Sequence, residues 1–252
     1  MPAGLDGRPD PISTPARQAV LRRVADRVIA HAVRPDRMAL VGVDGIDGAG
    51  KSTFADELAA VLRARGIATD RSSIDSFHRP RAQRWAAGRS SPLGFYRDSH
   101  DLEQLHSHLL TPIGLHRPYV TAVFDEPTDR HIDIRWHDPV PGGVMLFDGI
   151  FLHRPELVDA WHFSIWLDGV ARVRARRVEI ALDRCPDDPA LRFLHFLAWW
   201  ARFDRYVTGQ RMYLDSVAPA ERADLVIDNN DFARPVITTD VRAAPLVTMQ
   251  GL

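Results

Sequence analysis

Two hydrophobic rhythms alternate along this chain. Val20, Leu21, Val24, Val28, Ile29 and Ala32 recur at helical spacing, entered through Thr14-Pro15 as N-cap and first turn. Met38–Val43 is instead a short unbroken apolar run, the kind buried on both faces of a parallel sheet. Helical spacing returns at Phe54, Leu58, Val61 and Leu62 and meets a stop signal at Gly66. Further strands are predicted at Ile67–Ile74, Gly143–Phe147, Phe163–Leu167 and Asp224–Ile227, with helical stretches between the last two. Leu102, Leu105 and Leu109 predict a helix over Asp101–Leu110. Alternating runs at Tyr119–Phe124 and His131–Trp136, joined by a polar turn, predict a β-hairpin outside the main sheet. Between the second strand and the Asp101–Leu110 helix, residues 76–97 are rich in Arg, Pro, Gly and Ser and read as an ordered excursion over one face. Strands alternating with helices imply an α/β sandwich around a parallel sheet.

In such sheets ligands collect at the carboxyl ends of strands. The first predicted strand runs into Gly45-Ile46-Asp47-Gly48-Ala49-Gly50-Lys51-Ser52, a full G-x-x-x-x-G-K-[ST] loop, and a helix follows. Strand, glycine loop and helix together aim free N–H groups and the helix dipole at an anion. Composition sharpens that reading. Of 32 basic residues one is a lysine, and it is Lys51. Arginine is a broad planar fork, whereas lysine is a compact point charge on a thin stem, suited to a phosphate tail wrapped by backbone N–H groups. The chain is expected to bind a nucleoside triphosphate.

Three acidic residues, Asp75, Asp148 and Asp168, fall at predicted strand ends. Mg²⁺ in such sites is held by the loop hydroxyl, here Ser52, and by a carboxylate ending a neighbouring strand. Asp148 offers that carboxylate; as a bare sequence it also fits a turn aspartate. Asp75 can orient and deprotonate an attacking hydroxyl, or cap the turn that follows it.

The remaining features mostly exclude. A formal charge of −1 gives no basic field for nucleic acid. No apolar run reaches membrane-spanning length, and one cysteine, Cys185, fits a reducing cytosol. His106 and His108, with His100 and His116 nearby, lack the cysteine or carboxylate spacing of a metal site. Leu191–Trp200 suits a buried helix or a homo-oligomer surface.

Gly45 to Thr53, Asp75-Ser76-Phe77, the Tyr96-to-Asp101 stretch, Leu146-Phe147-Asp148-Gly149-Ile150 and an arginine-rich segment after Asp168 occur in an order that resembles the uridine kinase family. That family sits within the uridine kinase, phosphoribulokinase and pantothenate kinase group; Arg205 to Arg211 and Ala223 to Asn229 resemble its actinobacterial-type members. The resemblance implies a P-loop NTPase three-layer sandwich with a substrate-side hairpin and a helical lid over about residues 169–205. Residues 16–237 form the kinase domain in this reading, with tails at 1–15 and 238–252. It implies ATP and Mg²⁺ as cofactors and a small-molecule acceptor, a pyrimidine ribonucleoside such as uridine or cytidine. Gly45, Asp47, Gly48, Ala49, Gly50, Lys51, Ser52, Thr53 and Arg177 would hold the nucleotide, with Asp148 joining Ser52 on the metal. Asp75, Lys51, Arg172 and Arg176 would be catalytic. Asp75, Phe77, His78, Tyr96, Asp98, Phe124, His131 and Gln210 would face the acceptor. Three positions depart from the family pattern: Asp148 replaces the usual glutamate, and His78 and Phe124 stand where tyrosines are usual. The alternatives are a kinase of another small alcohol or nucleotide (pantothenate-like, a sugar phosphate, thymidylate), or a non-catalytic nucleotide-binding regulator.

Overall fold

The computed structural model describes residues 14–169 and 204–242. A six-stranded sheet runs β10-β9-β8-β1-β7-β2. Its strands are β1 (Ala39–Asp44), β2 (Thr69–Ser73), β7 (Val144–Gly149), β8 (Phe163–Asp168), β9 (Leu225–Asp228) and β10 (Val236–Asp240). All neighbours are parallel except β10, which returns antiparallel to β9 along the edge. All five strands anticipated from apolar runs are present. The antiparallel edge strand was not anticipated, and it carries regular structure past residue 237, where a tail was expected.

Burial on both faces explains the unbroken apolar runs. Side chains alternate across a strand, so Leu40, Met145 and Phe147 enter one core while Ala39, Val41, Val43, Val144 and Leu146 enter the other. The second core is roofed by α1 (Pro15–His31) and α2 (Lys51–Ala64). Thr14 caps α1 by accepting from the Arg17 N–H (3.1 Å), and Gly66, at φ 80°, turns the chain away from α2. The first core is closed by the excursion and by a helical stretch from Leu102 to Gly114, capped by Asp101 and interrupted by a π turn at His106–Leu110.

The hairpin forms as two short antiparallel ladders outside the sheet, β3 with β6 (Tyr119–Val120 and Trp136–His137) and β4 with β5 (Phe124–Asp125 and Arg130–His131). Among the described residues a helix runs over 204–217 and a short one follows at Pro219–Arg222. Gly209 lets the longer one approach the Pro92–Asp98 helix closely: a Cβ there would sit 2.8 Å from Phe95 and 2.9 Å from the Pro92 carbonyl. No helix among the described residues is long and apolar enough to cross a membrane.

Candidate active site

β1 ends at Asp44, fully buried, and its carboxylate anchors the loop that follows. One oxygen accepts from the Gly45 N–H (2.7 Å). The other takes the His153 backbone N–H (3.2 Å), the His153 ring Nδ1 (2.7 Å) and the Tyr213 hydroxyl. A buried carboxylate persists only when its lone pairs are filled, and here they are. Burial, reinforced by Asp44, pushes the Tyr213 hydroxyl well above its ordinary pKa, so it stays a donor.

Gly48 and Gly50 take φ of 79° and 91°, left-handed values that a side chain would strain, and Gly50 leads directly into α2. The first turn of a helix leaves N–H groups unpaired. Here Gly48, Gly50, Lys51, Ser52 and Thr53 line a cavity of about 330 Å³ together with Asp47, Asp75, Asp148 and Phe232. The Lys51 ammonium donates back to the Ile46 carbonyl (3.0 Å), holding its charge within the loop. Gly45 and Ala49 lie behind the cavity wall. A Cβ on Gly45 would meet the Leu167 carbonyl at 2.6 Å, and the Ala49 carbonyl accepts from the Asn229 side chain (2.8 Å). Arg17, fully buried, braces Asn229 in turn (3.0 Å) and pairs with Glu57 on α2 (2.7 Å).

Ser52 and Asp148 meet, hydroxyl to carboxylate, at 2.7 Å. Parallel register places Asp148 beside Val43 on one side and Ser73 on the other. Its second oxygen is held by Arg71 of β2 at 2.8 Å, and Arg71 also pairs with Asp56 (2.9 Å). Nothing in the sequence marked Arg71, because a polar residue facing out of an edge strand looks like any solvated arginine.

A second cavity of about 540 Å³ opens beyond the first, and Asp47, Asp75 and Ile150 line both. Asp75 follows β2 in a single 3-10 turn, Ile74–Phe77, capped by the Ser73 hydroxyl. It thus stands at the junction. The Asp75 side chain is itself 73% exposed, and the surrounding cleft walls push its carboxyl above the ordinary value, with His78 and Lys51 partly opposing. His78 and His100 pair through a short bridge, their rings 4.6 Å apart. Asp75, His78 and His100 bring one ligand atom each within 4.8 Å of one another. Burial holds His100 well below its ordinary pKa, so it is neutral, and its Nε2 has no hydrogen-bond partner.

Of the residues expected to face the acceptor, Asp75, His78 and Phe124 line this second cavity. Phe77 is buried against Phe147, and Tyr96 packs on Phe151 and Tyr213 beneath the Arg154 guanidinium. Neither lines either of these two cavities: Phe77 is turned into the core, and Tyr96 packs partly buried against it. Asp98 ends its helix away from the cavity wall; the next two residues, Ser99 and His100, line it instead. His131 is an exposed hairpin residue whose ring packs edge-on against Phe124. Gln210 reaches the loop: its carbonyl accepts from the Asp47 N–H (2.8 Å) and its amide donates to the Asp47 carboxylate (3.1 Å). Arg84, Trp85, Glu126, Arg205 and Tyr206 also line the second cavity, and sequence reasoning had marked none of them for it. Arg172, Arg176, Arg177 and Leu191–Trp200 lie outside the described residues.

No family model matches the chain, and no curated protein matches it. Solved structures do. A possible uridine kinase from Bacillus stearothermophilus superposes with a TM-score of 0.62 at 23% identity, covering 83% of this chain and 97% of its own. A candidate fructose transport system kinase from Silicibacter sp. TM1040 gives 0.61 at 24% identity, covering 77% and 94%. The chain therefore has the α/β fold of these P-loop kinases, a mostly parallel central sheet flanked by helices.

Proposed function

We propose that this chain is an ATP-dependent kinase of a small hydroxylated metabolite. The observation that carries the reading is the position of Asp75, between a cavity built on the phosphate-binding loop and a second cavity sized for a metabolite. In this reading the loop and the first turn of α2 hold the nucleotide phosphates, and Lys51 neutralises charge on them. Ser52 and Asp148 fit Mg²⁺: both offer hard oxygen donors, already 2.7 Å apart at the cavity wall. When bound, the ion neutralises charge on the transferring group.

The acceptor hydroxyl is oriented toward the nucleotide by Asp75, which takes its proton. A base works best when its pKa approaches the operating pH, and the cleft raises that of Asp75 in the required direction. Most of the rate then comes from alignment and charge complementarity, because phosphoryl transfer demands little covalent chemistry from the protein. Such an enzyme works in the cytoplasm, where ATP is kept.

A pyrimidine ribonucleoside is the acceptor favoured by the resemblance to uridine kinases. Asp75 and Phe124 on the cavity wall support it; Asp98 and His131, also expected to face the acceptor, do not line that wall. A metabolite panel, including uridine, cytidine and pantothenate, screened for ADP release with product mass tests both levels. ADP release with a phosphorylated product supports the kinase. Nucleotide binding without turnover on any alcohol would favour a regulator instead.

A further inference from the structure

The acceptor cavity contains two nearly buried arginines in opposite electrostatic circumstances. Arg84, 8% exposed, pairs with Glu126 at 2.7 Å and Asp129 at 3.4 Å. Arg205, 6% exposed, has no carboxylate partner among the described residues. One of its terminal nitrogens donates to the Arg89 carbonyl (2.8 Å), its Nε is unpaired, and its guanidinium lies over the rings of Phe95 and Tyr206. A guanidinium keeps its charge, so a buried one with no carboxylate among the described residues is expensive unless an anion arrives. Burial, with Arg84 as a like charge nearby, points the same way.

The cavity's own carboxylates do not supply that anion. Asp47 is engaged by Gln210, Asp125 by Thr128 and Glu126 by Arg84. The fourth, Asp75, stands at the phosphate end.

We infer that the acceptor is an alcohol bearing an anionic group, a carboxylate or a phosphate, and that Arg205 holds this group while the hydroxyl faces Asp75. The inference rests on the kinase reading for the role of Asp75, but not for the anion site, and it replaces the neutral nucleoside with an anionic acceptor.

The test uses the full chain with a non-hydrolysable ATP analogue and Mg²⁺ filling the nucleotide site. Matched pairs are titrated by calorimetry: glycerate against glycerol for the carboxylate, ribose 5-phosphate against ribose for the phosphate, and uridine as a neutral nucleoside. At least one anionic compound should bind about tenfold or more tighter than its neutral partner, as a charge-assisted arginine contact allows. Arg205→Met should abolish that preference without lowering Tm, since replacing a buried charge by an apolar chain is often neutral or stabilising. Arg205→Lys should restore part of it. The inference is overturned if no anionic compound outbinds its neutral partner. It is equally overturned if Arg205→Met lowers Tm and weakens both members of a pair alike, the signature of a purely structural arginine. ADP release assayed in parallel with ATP separates the two readings. Turnover of neutral alcohols alone defeats the anion site and leaves the kinase standing. Arg205-dependent anion binding with no turnover does the reverse.

Discussion

At the phosphate end of the cleft the walls come from one glycine loop, the first turn of a helix and the ends of neighbouring strands, and the charged groups there, Asp75 aside, are already engaged within the protein. Lys51 rests on Ile46, Ser52 on Asp148, Asp148 on Arg71 and Asp47 on Gln210. At the acceptor end the walls come from separate segments near residues 76–78, 84–85, 95–100, 124–127 and 205–206. There the Nε2 of His100 and the Nε atoms of Arg84 and Arg205 lack partners. A triphosphate looks alike to every enzyme that uses it, so a contiguous, self-supporting frame suffices. An acceptor differs from enzyme to enzyme, and its site is assembled from whatever the fold brings near.

The sharpest way to break this contrast is at the loop itself. Lys51→Arg keeps the charge yet should reduce turnover to background, because the wide guanidinium does not fit between loop and phosphates. Retention of more than a tenth of wild-type kcat would show that the phosphate end is less exacting than its packing suggests.

Asp75 belongs to both ends, and Asp75→Asn should lower kcat by about 10²–10⁴ while nucleotide affinity holds. A loss nearer tenfold would mean that the carboxylate mainly positions the hydroxyl. In the base role proposed for it Asp75 acts deprotonated, so kcat/KM should be full at neutral pH and fall on acidification. The midpoint should lie above the ordinary carboxylate pKa of about 3.9, in line with the raised value in the cleft. An acid limb unchanged in Asp75→Asn would assign it to another group.

Asp44 tests whether the loop's rigidity is inherited from beneath. Asp44→Asn replaces one buried acceptor oxygen by a donor and leaves His153 and Tyr213 without their partner, so urea denaturation should show a loss of roughly 2–4 kcal/mol. A loss under 1 kcal/mol, on the order of one ordinary hydrogen bond, would mean that the network is dispensable.

The smallest expected effect concerns Arg71. Its guanidinium and a divalent cation compete for Asp148, so Arg71→Met should move the Mg²⁺ midpoint of kcat modestly lower. Asp148→Asn should move it higher, and Asp75→Asn should leave it in place. An upward shift in Arg71→Met would mean that Arg71 orients the carboxylate for the metal rather than competing with it.

The sequence spoke clearly about one end and faintly about the other, for physical reasons. Strands buried on both faces must be continuously apolar, which is why β1, β7 and β8 were legible. β10 carries Val236-Ile237-Thr238-Thr239-Asp240 on an exposed edge, where no core demands such a run. The loop was legible because each of its residue types answers to a backbone angle or a phosphate. The acceptor wall was not. Asp98 and His100 are two residues apart, and which of them reaches the cavity depends on where a seven-residue helix ends. Tyr96 and Phe77 have the aromatic character of ligand-facing residues, but packing claimed both rings. Arg205 reaches the wall only because Gly209 admits its helix against Phe95.

The solitary lysine also makes the molecule chemically addressable. Within these 252 residues a single side-chain amine exists, 8% exposed and seated in the nucleotide cavity. An acylating reagent carried on a nucleotide would therefore label one side chain, and the intact mass would count occupied sites directly. Other small ligands could be ranked by how well they protect that amine, with no knowledge of the acceptor required. Few enzymes report on their own occupancy through one atom.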